Sequence, residues 1–228
     1  IACLNNINDV NNVKVGTKLI VNLAAPEAIP PKAVVAENKP APKISKAEPK
    51  QNPKISHSSA KNLHWTQMSD EQMREIYGNY SRDITTPYSG NAEDLNRYLK
   101  GKGVLSGQGQ AFIDAQNKYG ISAAVLAGIA ISESGGTSSL ARKRFNVTSI
   151  SSSRGWRRFN NVSECIDYTA SMLANRYVKN SGLSGVSLKT LYQINAKYCP
   201  VSDTRNNSSN NRFWAQNVEN KVREIEKA

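Results

Sequence analysis

Residues 121–150 read ISAAVLAGIAISESGGTSSLARKRFNVTSI, and the fold turns on them. From Ala123 to Ile131 the residues are apolar on every side, so a helix here has no solvent face and belongs at the centre of its domain. Ser122 is placed to cap that helix, and Gly135-Gly136 to stop it after Ser134. Glu133 therefore ends a buried helix. A carboxylate in that position is rare unless it is paired or functional. Partial burial and the negative helix C-terminus both disfavour its anion and raise its pKa. A general acid for glycoside cleavage needs that environment. The competing reading is a glutamate that has just cleared the buried stretch and faces water.

Working outward, helix signals recur on both sides of this segment. Ser69 precedes a helix over Asp70 to Tyr77, and Asn91 precedes one over Glu93 to Leu99. Gly107 to Tyr119 places Ala111, Phe112, Ala115 and Tyr119 on one face and halts at Gly120. Ser163 is expected to cap Glu164 to Val178, with Ile166, Ala170, Leu173 and Tyr177 inward. Leu188 to Lys197 and Arg212 to Lys227 close the chain as helices. Only Asn146 to Asn161, with Val147, Ile150, Trp156 and Phe159 among serines and Gly155, has the pattern of a β-hairpin. The expectation for residues 62–228 is a mainly α domain, a helical lobe facing a small β-hairpin lobe.

The rest of the chain is built differently. Residues 24–61 hold seven of the nine prolines and seven lysines against three glutamates, with no Phe, Trp or Tyr. Such a stretch buries too little apolar surface to offset the entropy of ordering, and is expected to be a linker. Before it, IACLNNINDVNNVKVGTKLIVN has helical spacing at Ile1, Leu4 and Ile7, then a strand-like pattern about Gly16. This segment, residues 1–23, resembles the second half of a LysM module, which binds N-acetylglucosamine polymers.

Composition closes off several classes. No apolar run reaches the roughly 20 residues of a membrane span. Cys3, Cys165 and Cys199 show no CxxC spacing, and His57 and His64 are the only histidines, so no metal site or cofactor is expected. The 30 Lys and Arg outnumber the 18 Asp and Glu, leaving +12 at pH 7, which favours anionic partners. Nucleic acid fits the charge, but no recognition helix or aromatic RNA motif accompanies it.

The run from Ala127 to Ile150 resembles the catalytic region of the endo-β-N-acetylglucosaminidases of glycoside hydrolase family 73. The match consists of Glu133-Ser134-Gly135 with Ser138, then Asn146-Val147-Thr148-Ser149-Ile150. It continues through Phe159 to Tyr168, and ends in Tyr198-Cys199-Pro200-Val201-Ser202-Asp203 with Trp214 downstream. The resemblance implies a lysozyme-like α+β fold with a catalytic cleft between its lobes, and a wall hydrolase acting on peptidoglycan glycan strands. It implies Glu133 as the general acid and Tyr198 as an aromatic hydroxyl beside the scissile bond. It further implies Asn146, Ser149, Tyr168, Asp203 and Trp214 as substrate-binding residues, to which the hairpin adds Trp156, an aromatic that can stack on sugar rings.

One departure concerns the second carboxylate. Ser134 to Ser163 contains no Asp or Glu, so the β lobe offers none. Glu164 is the first candidate base, although at a helix N-terminus a glutamate often just complements the dipole. Asp203 is another. Failing both, the substrate's own 2-acetamido group can stand in for the missing nucleophile. A muramidase or lytic transglycosylase on the same fold, or a non-catalytic wall-binding or tail protein, are the alternatives. The expected place of action is the cell wall or a phage virion. The expected partners are glycan strands, anionic wall polymers, met by Arg154, Arg157 and Arg158, and in the phage case other virion proteins.

Overall fold

In the computed structural model, residues 63–201 and 211–228 are described. The LysM-like segment, the linker and Asp203 lie outside them. The capping signals of the sequence become helix ends. Helix α1 spans Asp70–Tyr77, and its Ser69 Oγ accepts from the Gln72 N–H while Gln72 Oε1 accepts from the Ser69 N–H. Helix α2, Ala92–Leu99, starts at Asn91, whose Oδ1 accepts from the N–H groups of Glu93 and Asp94. Helix α3, Gly109–Tyr119, stops at Gly120 in the left-handed conformation, where glycine carries no Cβ penalty.

Helix α4, Ala123–Ser134, is the buried helix foreseen at the centre, and its residues from Ala123 to Ala130 are all buried. Burying Val125, Leu126 and Ile129 stabilises the fold by roughly 1.5–3 kcal/mol each. After it come α5, Ser139–Arg144, and the short antiparallel pair β1, Ser151–Ser152, and β2, Gly155–Trp156. Helix α6, Val162–Leu173, runs on into a π-helical turn over Ala174–Val178. Helices α7, Leu191–Tyr198, and α8, Trp214–Ile225, complete the domain.

The longest interface is between α4 and α8. Helix α8 turns Trp214, Ala215, Val218, Val222 and Ile225 inward, a stripe at helical spacing. The two helices run antiparallel, because Glu133 meets Trp214 while Gly128 meets Val218 and Val222. A Cβ at Gly128 would stand 3.1 Å from Val222 Cγ2 and 3.2 Å from the Val218 carbonyl oxygen, so the absence of a side chain sets how closely α8 approaches. Behind the end of α4, the Gly136 carbonyl accepts from the Val104 N–H at 3.0 Å. A Cβ at Gly136 would lie 2.0 Å from the Lys102 carbonyl oxygen.

Several boundaries differ from the sequence expectation. The cap of α6 is Asn161, whose Oδ1 accepts from the Glu164 N–H at 2.8 Å; Ser163 instead donates to Gln108. Helix α7 begins at Leu191 rather than Leu188, because Thr190 is its cap and Leu188 pairs with the Tyr177 carbonyl. The hairpin is far shorter than Asn146–Asn161, since the flanking residues are held by side-chain hydrogen bonds instead of a ladder.

Candidate active site

Glu133 occupies the last turn of α4. Its Oε1 accepts a hydrogen bond from Trp214 Nε1 at 2.8 Å, and the Ser149 side chain is a second neutral polar neighbour that favours its anion. Protein crowds the carboxyl on most sides, yet part of the residue's surface stays open to solvent. Burial pushes its pKa above the ordinary carboxylate value, and these two neighbours oppose that shift without cancelling it. None of the groups facing it among the described residues is a cation or a second carboxylate.

Tyr198 ends α7 and lies against Trp214, with ring centroids 5.1 Å apart. Its hydroxyl donates to the Thr148 carbonyl oxygen at 2.7 Å. Burial first, and the neighbouring Glu133 next, lift its pKa well above that of a free phenol, so it stays neutral. With its proton committed to Thr148, the phenol oxygen has lone pairs to offer as an acceptor.

The third wall is the turn Asn146 to Ile150. Asn146 is fully buried; its Nδ2 donates to the carbonyls of Ile150 (2.7 Å) and Arg157 (2.9 Å), and its Oδ1 accepts from the Ile150 N–H (2.8 Å). This bracket holds Ser149 at φ 55°, a left-handed conformation that costs a serine about 1–2 kcal/mol. Behind the turn, Thr148 Oγ1 is 2.7 Å from Thr169 Oγ1 and 3.4 Å from the thiol of Cys165.

Glu133, Ser149, Tyr198 and Trp214 are thus brought together, and other candidates are placed elsewhere. Asn146 is not available to a sugar: all its amide groups are spent inside the protein. Trp214 is 6% exposed and addresses the carboxyl of Glu133 rather than a ligand. Glu164 accepts from the Asn160 N–H at 2.7 Å and lines a separate groove between α3 and α6 with Asp114, Lys118 and Asp167. Its position complements the α6 N-terminus, the bland role of such a glutamate, and gives it no part beside Glu133. Tyr168 packs on the buried Phe159 at 5.7 Å, under the Arg157 guanidinium at 4.1 Å. Trp156 is 48% exposed on β2, as a ring that stacks on sugars must be.

Sequence reading missed Asn195 and the Trp214–Glu133 bond. Asn195 is buried and ties α7 to α8: its Nδ2 donates to the carbonyls of Cys199 and Asn211, and its Oδ1 accepts from the Ala215 N–H, each at 3.0 Å. The available signal was an amide amid the apolar positions of LYQINAKY. Among the described residues no group of three or more His, Cys, Asp or Glu could hold a metal ion, and no helix is long and apolar enough to cross a membrane.

Residues 109–227 match the family described as Glucosaminidase, mannosyl-glycoprotein endo-beta-N-acetylglucosaminidase. The chain is 37% identical over 100 residues to a bifunctional autolysin of Staphylococcus epidermidis, covering 42% of this chain and 8% of that protein. It is 35% identical over 107 residues to a bifunctional autolysin of Staphylococcus aureus, covering 46% of this chain and 9% of that protein. The chain therefore spans less than a tenth of the length of these relatives. In structure it resembles Staphylococcus aureus autolysin E, solved as a catalytic mutant in complex with the disaccharide NAG-NAM. That likeness has a TM-score of 0.54 at 22% identity and covers 70% of this chain and 79% of the other. Autolysin E in complex with the muropeptide NAM-L-Ala-D-iGlu gives a TM-score of 0.51 at 22% identity over 70% of this chain and 78% of the other. At this identity the likeness shows the fold, a lysozyme-like one, mainly helical with a small two-stranded sheet.

Proposed function

The chain belongs to the glucosaminidase family, and from that premise we propose that it hydrolyses the β-1,4 bond after N-acetylglucosamine in peptidoglycan glycan strands. The observation that carries the proposal is Glu133. It is a crowded carboxyl with a raised pKa, at the end of the central helix, with no cation among the described residues to hold it ionised. Such a group is protonated at a pH where an ordinary glutamate is not, and can give its proton to a leaving glycosidic oxygen.

With no second carboxylate facing Glu133 among the described residues, the 2-acetamido group supplies the nucleophile. Its carbonyl oxygen bonds to C1 as the glycosidic C–O bond breaks, and the Glu133 proton passes to the departing oxygen. The Tyr198 oxygen, its own proton committed to Thr148, accepts the acetamido N–H and holds that group in line. The Glu133 carboxylate then takes a proton from water, which attacks C1 and releases the acetamido group, so the anomeric configuration is retained.

The exposed Trp156 ring serves as a sugar platform. Arg154 and Arg158, two residues either side of it, and Arg142 and Lys143 on α5 are exposed and make no ion pair among the described residues. This basic face suits anionic wall polymers, and residues 1–61 act as a wall-binding tether. The names of the relatives favour a wall autolysin over a phage lysin.

Mass spectrometry of the reducing ends released from purified walls tests the reading. N-acetylglucosamine ends are expected; N-acetylmuramic acid ends indicate a muramidase, and anhydro ends a transglycosylase. Proton NMR of the first product tests the mechanism: an inverted anomer removes acetamido participation.

A further inference from the structure

We infer that Trp214 is a positioning residue that gives the two oxygens of Glu133 different tasks: Oε1 is held by the indole, and Oε2 carries the proton delivered to the leaving oxygen. The inference rests on Glu133 being the general acid. An indole N–H donates and accepts nothing. Oε1, 2.8 Å from Nε1, is therefore an acceptor whether the carboxyl is neutral or ionised. The proton of the neutral acid then belongs on Oε2, the oxygen the indole leaves unused.

The indole is not free to turn away. Its ring is buried and packed at a tilt against Tyr198, whose hydroxyl is itself tied to Thr148. The backbone beside it is pinned, because the Ala215 N–H donates to Asn195 and Asn195 also holds the Asn211 carbonyl. The close approach at Gly128 fixes α8 against α4. Trp214 is thus as firmly placed as the acid it addresses.

This arrangement favours the transition state over the ground state. As the Oε2–H bond breaks and the new O–H bond forms on the glycosidic oxygen, the C1–O electron pair leaves with that oxygen and Glu133 becomes an anion. The Trp214 hydrogen bond changes from neutral to charge-assisted at that moment and strengthens. Only interactions that strengthen on the way to the transition state speed the chemical step. Among the described residues, the other groups facing Glu133 are the Ser149 side chain from the 146–150 turn and the neutral Tyr198 phenol from α7.

Trp214→Phe in the full chain keeps the ring and removes the N–H. Its kcat should fall about tenfold with KM little changed, as for loss of a donor made stronger in the transition state. The basic limb of the kcat/KM profile should move to higher pH, because a donor that favours the Glu133 anion is gone. A carbon-13 titration of the Glu133 carboxyl, assigned by its loss in Glu133→Gln, should show the same upward move without any turnover. Failure of the general-acid reading would appear separately, as full activity in Glu133→Gln. If Trp214 only packs, the variant loses activity or Tm while both pH readings stay in place, and the inference falls. Should Trp214→Phe not fold, the Trp214 indole N–H resonance of the unaltered protein takes its place. It should move with pH and stand still in Glu133→Gln; a flat trace in the unaltered protein overturns the inference.

Discussion

Glu133 on α4 and Glu219 on α8 both belong to the α4–α8 helix pair, and they are treated in opposite ways. Glu219 on α8 is 8% exposed at its side chain and accepts from Arg82 at 2.7 and 3.2 Å and from Arg223 at 2.7 Å. Burial works against its anion, but these hydrogen bonds and the nearby positive charges outweigh that and hold its pKa below the ordinary value. Among the described residues Glu133, at one end of the interface, meets the Trp214 indole N–H and the Ser149 side chain but no cation, and burial wins. The same residue type in one core is thus a fixed anion where guanidinium groups surround it and a proton store where neutral donors do. Burial disfavours both anions, and the guanidinium groups at Glu219 reverse that effect while the neutral donors at Glu133 do not.

The hardest way to break this contrast is to remove the proton store. Glu133→Gln should lower wall lysis at least ~10²-fold, the scale of a lost general acid. It should also stabilise the fold at neutral pH. An acid whose folded pKa is raised contributes its stability fully below the unfolded value, near 4.3, and loses it as pH rises through the folded pKa. The gain in urea midpoint over the unaltered protein should therefore be present at pH 7 and vanish at about pH 4. A gain that persists in acid would contradict the burial of the anion.

Glu219→Gln should do the reverse, leaving lysis nearly unchanged and destabilising the domain by about 1–2 kcal/mol. The cost is limited because Arg82 retains Glu226, at 2.7 and 3.0 Å. The depressed pKa of Glu219 contributes stability above the unfolded value and loses it as pH falls through the folded one. The deficit of the variant should shrink in acid, read again from urea midpoints at pH 7 and pH 4.

The comparison is sharpened by making Glu133 resemble Glu219. Ser149→Lys places a cation beside the carboxyl and should move the basic limb of the pH profile down. Activity at pH 7 should drop about tenfold, one unit of proton occupancy. An unmoved profile would mean the carboxyl does not sense that neighbour. The smallest effect is expected from Gly128→Ala. Its added methyl must push α8 outward by a few tenths of an ångström and cost about 1 kcal/mol, measured as a fall in Tm.

How much of this was legible follows from the range of each interaction along the chain. Helices α1, α2 and α3 were read to within two residues because Ser69, Asn91 and Gly120 act on their immediate neighbours. Helix α5 was not foreseen, since SLARKR is a single short turn and a half with no apolar period. Asn161 and Ser163 are both good caps two residues apart, and local sequence does not choose between them. Glu133 was legible as one charge at the end of an uninterrupted apolar helix. Its bond to Trp214 was not, because 81 positions separate the partners. Asn146 was misread for a related reason: an asparagine that brackets a turn and one that meets a sugar look identical until the backbone is folded.

The crowding at Gly136 has a consequence for how the sequence can drift. A methyl there would sit 2.0 Å from the Lys102 carbonyl, so every substitution displaces backbone and none is cushioned by a rotamer change. Three positions from Glu133, the chain therefore holds a site at which a mutational library should return only glycine. Survivors of such a screen would report on the join behind the end of α4, while the exposed residues of the hairpin vary freely.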